Sequence, residues 1–329
     1  MKRSAVLLPV SIVLVFGALS LFLLSSCAMP PMSSSGLFGD RVGLIRLEGV
    51  ISAGSGSQGL MYSGGVSSDH IVEVVNQAID DKGIKALVVR INSPGGSAAA
   101  SQEIYNVFKK FSDTGRPVVV SMADVAASGG YYVAAPADVI YANPATLTGS
   151  IGVIMQFLNY EGLFKLIGLS DVTITSGEYK DIGSPFRPMT ESEERLLQEM
   201  LDDVHRQFKD AVKSGRGFTD DEINAIAEGM IYTGEQAYNN GLVDELGGLE
   251  NAIAEAGRLS GLGEKPVVDE LGKVGLLDQL LKNLGGVQHN GGIADTINPF
   301  KSTDNLFYRL WSVVLLDPRL LGDNAGLNF

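Results

Sequence analysis

The apolar residues in the first half of the chain alternate between two patterns, and this alternation constrains the fold more than any other feature. Continuous apolar runs indicate buried strands, whereas stripes at helical spacing indicate amphipathic helices. The runs lie at residues 42–47, 86–91, 118–120 and 138–142, and the helical stripes lie at residues 71–79 and 98–111. Strands that alternate with helices at this spacing form βαβ units with right-handed crossovers around a largely parallel sheet. The sequence therefore predicts an α/β fold.

The second half of the chain has a mainly helical pattern. Thr190 and Glu193 have the spacing of a capping box, and an apolar stripe over residues 196–208 predicts a long amphipathic helix behind it. After residue 263 the pattern is interrupted by glycine-rich segments. We therefore assign residues 41–262 to one domain with a helical C-terminal part, and residues 263–329 to a partly helical tail.

The composition of the 329-residue chain fits a folded protein that does not bind nucleic acid. Hydrophobic residues make up 45% and charged residues 19% of the chain, which is enough apolar material for a sizeable core. The formal net charge of −13 opposes binding to nucleic acid or to an anionic lipid surface.

Residues 1–27 are typical of a targeting segment. Lys2 and Arg3 precede an apolar run over residues 5–24, which is long enough to span a bilayer and places the rest of the chain on the extracytoplasmic side. Cys27, the single cysteine, follows this run in a context that resembles a bacterial lipobox, where it would be lipidated; an uncleaved signal anchor is the alternative. Either arrangement tethers the protein to a membrane through its N-terminus, with residues 28–40 as a flexible linker.

A serine follows the third strand, in the stretch Asp-Val-Ala-Ala-Ser-Gly-Gly-Tyr-Tyr at residues 124–132. Small residues and glycines let the Ser128 hydroxyl emerge from a tight strand-to-helix turn, where a nucleophile could stand. Its base is not obviously a histidine, because His70, His205 and His289 lie at a helix start, on a charged helix face and in the tail. We therefore set aside a Ser-His-Asp triad. No His, Cys or carboxylate cluster has the spacing of metal ligands, and we expect neither a metal nor a cofactor.

Two further segments accompany this serine: Arg-Ile-Asn-Ser-Pro-Gly-Gly at residues 90–96 and Ser-Gly-Glu-Tyr-Lys-Asp-Ile-Gly-Ser-Pro at residues 176–185. Together the three segments resemble the signal peptide peptidase A family, whose members are serine peptidases with a Ser–Lys dyad. The resemblance covers residues 42–261. It implies a spiral of βαβ units like that of the Clp protease and crotonase superfamily.

The resemblance assigns a role to each matching residue. Ser128 would be the nucleophile and Lys180 the general base, which must be uncharged to accept a proton and therefore needs an apolar environment. Ser150, in a Thr-Gly-Ser segment that taken alone is a turn before a strand, would orient Lys180. The tetrahedral intermediate needs backbone N–H donors, and Gly96 and Gly129 are the candidates for this oxyanion hole.

The implied function is hydrolysis of cleaved signal peptides and other short apolar peptides, bound as extended strands at the outer face of a membrane. A chain of this length resembles the short form of the family, whose single domain assembles into a homo-oligomeric ring, so each active site is expected near a subunit boundary. Two alternatives would use the same fold: a non-catalytic membrane scaffold, and an acyl-CoA enzyme of the crotonase type. The filled Ser, Lys and Ser positions favour the peptidase.

Overall fold

A mainly parallel sheet organises residues 39–54 and 65–272, which are the residues that the computed structural model describes. The strands of this region are β1 (Arg41–Glu48), β2 (Val50–Ser52), β3 (Gly65–Ser67), β4 (Ile84–Ser93), β5 (Val118–Ala127), β6 (Val139–Ala142), β7 (Leu147–Gly149), β8 (Ile231–Thr233), β9 (Glu245–Leu246) and β10 (Val268–Glu270). The helices are α1 (Ser68–Asp80), α2 (Ala98–Ser112), α3 (Gly129–Ala134), α4 (Glu161–Leu166), α5 (Glu191–Arg216), α6 (Asp220–Ile226), α7 (Gly234–Asn239) and α8 (Leu249–Leu259).

The strands of the main sheet follow the order β10-β1-β4-β5-β6-β9, and all of these pairs are parallel. The central strands β4 and β5 are rich in buried β-branched residues, as parallel strands covered on both faces are. Residues of α1 and α2 share one apolar cluster with Val89 and Val120. On the opposite face, Ala252 and Ala256 of α8 pack in a second cluster with Val88 and other residues of β1, β4 and β5.

Strand β5 ends at the place where the candidate site is built. Its first half pairs with β6, whereas its last residues, Val125, Ala126 and Ala127, pair with β7. Strand β7 pairs in turn with β8 in the antiparallel direction. Ser128 therefore follows at the carboxyl end of a central strand, which is the edge where parallel sheets carry their ligand sites.

Between β7 and α5 the chain forms an extended segment, residues 153–190, that we call the arm. Contacts within the arm hold it together: the ring centroids of Phe164 and Phe186 lie 4.7 Å apart with the ring planes tilted by 39°, and the Tyr160 N–H donates to the Pro185 carbonyl at 2.6 Å. Helix α4 lies in the arm and buries none of its residues. The arm exposes many large apolar side chains, namely Ile154, Met155, Phe157, Leu158, Tyr160, Leu163, Leu166, Ile167, Leu169, Val172, Ile174 and Tyr179.

The α/β class and the βαβ units predicted from the sequence are confirmed. Ser67 caps α1. The capping box of Thr190 and Glu193 begins α5, as the spacing predicts. The sequence pattern predicts a turn followed by a strand at residues 148–150. This order is wrong, because strand β7 comes first and ends at Gly149. Three residues are too few to reveal a strand by periodicity, so the pattern could not give this order.

The ordered body continues past residue 262, the predicted end of the domain, because residues 268–270 pair with residues 42–44. No helix within residues 39–54 and 65–272 is long and apolar enough to cross a membrane. The predicted targeting segment at 1–27, most of the linker at 28–40 and most of the tail from 263 lie outside the described residues.

Candidate active site

Ser128 stands in a sharp turn between β5 and α3. Its backbone dihedrals are φ 52° and ψ −122°, a conformation that costs a non-glycine residue about 1–3 kcal/mol. Its carbonyl oxygen accepts the N–H groups of Tyr131 and Tyr132, both at 2.9 Å, which starts the helix. A strained serine between a strand and a helix has the geometry of a nucleophile elbow, which projects the hydroxyl out of the sheet.

Helix α3 is held firmly behind this turn. The side chain of Tyr131 is fully buried, its hydroxyl donates to the Leu242 carbonyl at 2.8 Å, and burial raises its pKa well above the ordinary value. The ring of Tyr132 lies 4.7 Å from that of Phe208 and 5.5 Å from that of Tyr105, measured between centroids. These contacts maintain the strained conformation of Ser128, because relaxing the turn would disrupt them.

Ser150 lies beside Ser128 at the end of the neighbouring strand. Ala127 pairs with Gly149, and the Ser128 N–H donates to the Gly149 carbonyl at 2.9 Å, so the two serines follow side by side on adjacent parallel strands. Ser150 also has a positive φ, 51°, and its N–H donates to the Met230 carbonyl at 2.7 Å. Ser128 and Ser150 are the non-glycine residues with positive φ in the part of the chain that the structure describes.

Gly95, Gly96 and Gly129 bring two amide groups together beside Ser128. Gly96 is bridged to Ile51, whose N–H donates to the Gly95 carbonyl at 2.9 Å. A Cβ atom on Gly129 would lie 3.2 Å from the Gly96 nitrogen, and one on Gly95 would lie 2.9 Å from the Ser128 Cβ atom. Within the described residues, the N–H groups of Gly96 and Gly129 have no acceptor. Two unpaired donors next to a nucleophile are what an oxyanion hole requires.

Two buried serines that the sequence analysis missed support this pair of amides. The Ser93 hydroxyl oxygen accepts the Gly95 N–H at 3.1 Å and so closes the Ser-Pro-Gly turn. The Ser101 hydroxyl donates to the Ser97 carbonyl at 2.9 Å, and a Cβ atom on Gly129 would lie 2.5 Å from its oxygen. Ser93 belongs to the Arg-Ile-Asn-Ser-Pro-Gly-Gly segment, so the sequence pattern could have indicated this role. Nothing in the sequence marks Ser101.

Lys180 lies on the arm, in a turn where its N–H donates to the Gly177 carbonyl at 3.2 Å. Its side chain is exposed, and within the described chain it has no hydrogen bond to Ser128 or Ser150. The structure thus brings together Ser128, Ser150, Gly96 and Gly129 but does not join Lys180 to them. Cys27, the predicted lipidation site, lies outside the described residues.

The arm contains a second polar cluster that the sequence analysis did not assign. The Arg187 guanidinium donates to both carboxylate oxygens of Asp181, at 2.8 and 2.9 Å, and to both of Glu193, one of them at 2.8 Å. Arg187 lowers the pKa of the Asp181 carboxyl, and together with the Thr190 N–H it lowers that of Glu193 to about 2. The two carboxylates in return raise the pKa of Arg187. All three groups are therefore charged at neutral pH.

Neither histidine of the described region belongs to the site. The Nε2 atom of His70 lies 3.3 Å from the Gly272 carbonyl oxygen, and that of His205 lies 2.8 Å from the Ala227 carbonyl oxygen. Over residues 39–54 and 65–272, no group of three or more His, Cys, Asp or Glu side chains could hold a metal ion. The reactive groups available beside Ser128 are hydroxyls and backbone amides.

A strained serine at the end of a central parallel strand, with a second serine and two unpaired amides beside it, defines a site of the serine-hydrolase class on an α/β fold. Comparison with known families agrees with this class. The model of peptidase family S49 matches residues 110–263, a region that includes Ser128, Ser150 and Lys180. The chain belongs to peptidase family S49.

Several curated proteins are similar to this chain. A putative protease of Synechocystis sp. is 43% identical over 186 residues, which are 56% of this chain and 67% of that protein. A putative signal peptide peptidase of Enterococcus faecium is 36% identical over 209 residues, or 64% of this chain and 60% of that protein. A chloroplastic serine protease of Arabidopsis thaliana is 36% identical over 218 residues, which are 66% of this chain but 32% of that protein. The chain thus spans between about one third and two thirds of these relatives.

Proposed function

We propose that this protein is a serine endopeptidase with a Ser128–Lys180 dyad that is completed in a homo-oligomer. The observation that carries the proposal is the elbow: Ser128 is held at φ 52° beside Ser150 and next to the unpaired amides of Gly96 and Gly129. Strain of this kind persists only where surrounding contacts impose it, and such positions concentrate at active sites. Membership of a peptidase family supports peptide bonds as the substrate.

The chemistry follows from the positions of these groups. Uncharged Lys180 takes the Ser128 proton as the Oγ atom attacks the peptide carbonyl, and the Gly96 and Gly129 amides bind the oxyanion. The lysine ammonium then protonates the leaving amine as the C–N bond breaks, which leaves an ester on Ser128. Water attacks this ester as Lys180 takes its proton, and the lysine ammonium then returns a proton to the Ser128 Oγ atom as the ester bond breaks, which releases the carboxylic acid product and restores both Ser128 and uncharged Lys180. Ser150 would accept a hydrogen bond from Lys180 and orient it.

A neighbouring copy of the chain would supply the lysine. In the single described chain Lys180 is exposed, whereas a lysine base must be desolvated to be uncharged near neutral pH. The arm that carries Lys180 exposes large side chains such as Leu166, Val172 and Ile174, an apolar surface of the kind that marks interfaces. Packing this surface against the elbow of the next copy would desolvate the lysine and bring it to Ser128. A head-to-tail contact of this type forms a ring when the rotation between successive copies closes.

The proposed substrates are cleaved signal peptides and other short apolar peptides. An extended peptide could pair with the backbone of Gly96 on one side and with the residues after Ser150 on the other, which is a sequence-tolerant mode of binding. Gly152 packs against Gly229, where a Cβ atom on Gly152 would lie 3.1 Å from the Gly229 Cα atom, so the backbone after Ser150 is held close to residue 229. The name of the Enterococcus faecium relative, a putative signal peptide peptidase, supports this substrate class.

We also place the protein at a membrane, with the catalytic domain outside the cytoplasm, through residues 1–27 and lipidation of Cys27. The support is the sequence alone: two basic residues, an apolar run and a cysteine at its end. Labelling with a palmitate analogue, compared between the wild type and Cys27→Ser, tests the lipid. Label that stays in the variant contradicts lipidation of Cys27, and recovery of unlabelled wild type in the membrane fraction would favour the uncleaved anchor.

The experiment that tests the function uses two inactive variants of the full-length protein in detergent. Ser128→Ala and Lys180→Ala should each lower the hydrolysis of a fluorogenic signal-peptide fragment by several orders of magnitude. When the two are dissociated, mixed in equal amounts and reassembled, about one quarter of wild-type activity should return, because one contact in four joins an intact serine to an intact lysine.

Each result is decisive. Activity that persists in Lys180→Ala overturns the dyad. Two inactive variants that stay inactive after verified mixing overturn delivery of the lysine by a neighbour, and leave a lysine from the same chain. An assembled wild type that hydrolyses no peptide and whose Ser128 resists a fluorophosphonate probe overturns the peptidase, in favour of the scaffold.

A further inference from the structure

The cluster of Asp181, Arg187 and Glu193 joins the residue after Lys180 to the start of a long helix. Its bonds to Asp181 are bidentate, formed by Nε at 2.8 Å and Nη2 at 2.9 Å, a geometry that fixes both the distance and the plane of the two groups. The same guanidinium contacts both oxygens of Glu193. One planar group therefore connects two carboxylates that lie on either side of it in the sequence.

The Glu193 end of this connection is rigid. The Glu193 side chain is 2% exposed, and its Oε2 atom accepts the Thr190 N–H at 2.8 Å. The Thr190 hydroxyl oxygen in turn accepts the Glu193 N–H at 3.3 Å, which completes the capping box of α5. Helix α5 runs from this cap to the body of the molecule, where Phe208, Ala211 and Val212 are buried. Arg187 is thus bound to the anchored end of a helix.

The Asp181 end lies directly beside Lys180. The Asp181 carbonyl oxygen accepts the Ser184 N–H at 2.9 Å and an Arg187 Nη2 hydrogen bond at 3.4 Å, in addition to the bonds of the carboxylate. The backbone that carries Lys180 is therefore held from its C-terminal side, although the lysine side chain itself is exposed. An exposed arm needs such a connection, because few buried contacts are available to fix its residues.

We propose that Arg187 is a positioning residue for Lys180, which it holds in place by joining Asp181 to Glu193 at the start of α5. The inference rests on the proposed function, because it takes Lys180 as the base. Arg187 acts through the backbone of its neighbours and does not touch the substrate. Its effect on catalysis arises because a misplacement of a reacting group by about 1 Å costs about 10²-fold in rate.

The test compares four variants of the full-length, assembled enzyme. Arg187→Gln removes the connection at its centre, and Asp181→Asn weakens only the bonds beside Lys180. Both should lower kcat by about 10–10²-fold and change KM less than about threefold, since the elbow and the peptide groove are untouched. Arg206→Gln is the matched control, because Arg206 also pairs with two carboxylates, Asp203 and Asp210, but on the surface of α5. Thr219→Ala controls for a loss of stability at another capping box.

The second part of the test combines Arg187→Gln with Lys180→Ala. If Arg187 acts through Lys180, the double variant retains the residual activity of Lys180→Ala, because the position of residue 180 no longer affects the rate once its amine has been removed. A further loss by the same factor as in the single variant would show that Arg187 acts through the general fold, and overturns the inference.

The remaining outcomes separate this inference from the proposed function. Wild-type kcat in both Arg187→Gln and Asp181→Asn, with Lys180→Ala inactive, overturns the positioning role and leaves the dyad in place. Activity that persists in Lys180→Ala overturns the dyad and the positioning role with it. If Arg187→Gln fails to assemble, the kcat of Asp181→Asn alone tests the positioning role, because this variant retains the hydrogen bonds between Arg187 and Glu193. A kcat loss in Arg206→Gln or Thr219→Ala equal to that in Arg187→Gln also counts against the inference.

Discussion

The elbow at Ser128 and the arm that carries Lys180 are held in opposite ways. The elbow follows a buried central strand, and the helix behind it is fixed by a buried hydroxyl and two ring contacts. The arm has a helix with no buried residue and is anchored by the charged cluster around Arg187. Buried contacts thus fix the proposed nucleophile, whereas hydrogen bonds between charged groups fix the segment of the proposed base.

This difference separates what one chain provides from what an assembly would add. The proposed nucleophile, the second serine and the two amides of the proposed oxyanion hole lie together in a single chain. The proposed base would reach them only through contacts that the exposed arm makes with another copy. Substitutions at the elbow should therefore act on each chain independently, whereas the effect of substituting the exposed apolar residues of the arm should depend on protein concentration.

The largest effect is expected at the oxyanion hole. A Cβ atom on Gly96 would lie 2.1 Å from the Ile51 carbonyl oxygen, so Gly96→Ala must displace the backbone that carries the Gly96 amide. We expect kcat to fall by about 10²-fold or more, at every protein concentration. Steady-state kinetics with a fluorogenic peptide measures the loss.

Gly115→Ala is the control for this substitution. Gly115 also has a positive φ, 78°, but a Cβ atom there meets nothing within 4 Å. It should cost about 1–2 kcal/mol of stability through backbone strain and leave kcat unchanged. Equal kcat in Gly96→Ala and Gly115→Ala would remove Gly96 from the oxyanion hole.

The next effect tests the arm as a surface for self-association. Leu166 is 82% and Ile174 is 94% exposed in the single chain, so changing both to Asp should cost each chain less than about 0.5 kcal/mol. In the assembly each side chain would bury area worth about 1.5–3 kcal/mol, so at least about tenfold more protein should be needed for half-maximal specific activity.

Val267→Asp, at a position outside the arm that is 68% exposed, should leave this concentration unchanged. Mass measurements in solution that show the same assembly for the double variant and the wild type would contradict the arm as the interface.

A smaller effect concerns the strain of the elbow. Ser128→Ala and Ser128→Gly both remove the nucleophile, but glycine adopts φ 52° without penalty. We expect the glycine variant to be more stable than the alanine variant by about 1–2 kcal/mol in denaturant unfolding. The order should reverse at Ser214 on the exposed side of α5, where glycine costs about 1 kcal/mol relative to alanine in a helix. A less stable glycine variant at position 128 would show that the surroundings do not strain the turn.

The smallest effect is the pH dependence of the cluster in the arm. Arg187 lowers the pKa of Glu193 from 4.5 to about 2. The ionised pair therefore stabilises the folded state fully above pH 4.5, and this stabilisation disappears as the pH falls towards 2. The difference in Tm between the wild type and Arg187→Gln should therefore be largest near neutral pH and shrink below pH 4.5. The difference between the wild type and Ser214→Gly should stay constant, because no charge is involved. A Tm difference for Arg187→Gln that stays constant with pH would mean that this pair does not lower the pKa of Glu193.

The elbow could be predicted from the sequence because its parts are local. Ser128, Gly129 and the short helix behind them follow one strand within a few residues, and Gly96 lies in a Pro-Gly-Gly turn at the end of the preceding strand. Parallel strands bring their carboxyl ends to one edge, so the topology places these turns together. The adjacency of Ser128 and Ser150 follows from the same rule once β7 is known.

The arm could be predicted far less well, because its structure depends on pairs and surfaces that no periodic pattern records. Thr190 and Glu193 are visible as a capping box, but the spacing does not show that Arg187 occupies the other side of the Glu193 carboxylate. The apolar stripe of α5 predicts burial along its length, yet Leu196 and Met200 near its start are exposed in the single chain. An apolar stripe shows that a helix needs a partner but does not identify it.

The parallel pairing of β10 with β1 has a consequence for how the protein can be shortened. β10 covers the outer side of β1 over residues 42–44, and the Val42 N–H donates to the Val267 carbonyl at 2.9 Å. A chain cut at residue 262, where the sequence pattern ends, would leave that row of backbone donors and acceptors open on an apolar strand. Such an edge recruits strands from other molecules and favours aggregation. A truncated protein that must stay soluble should therefore end after residue 272.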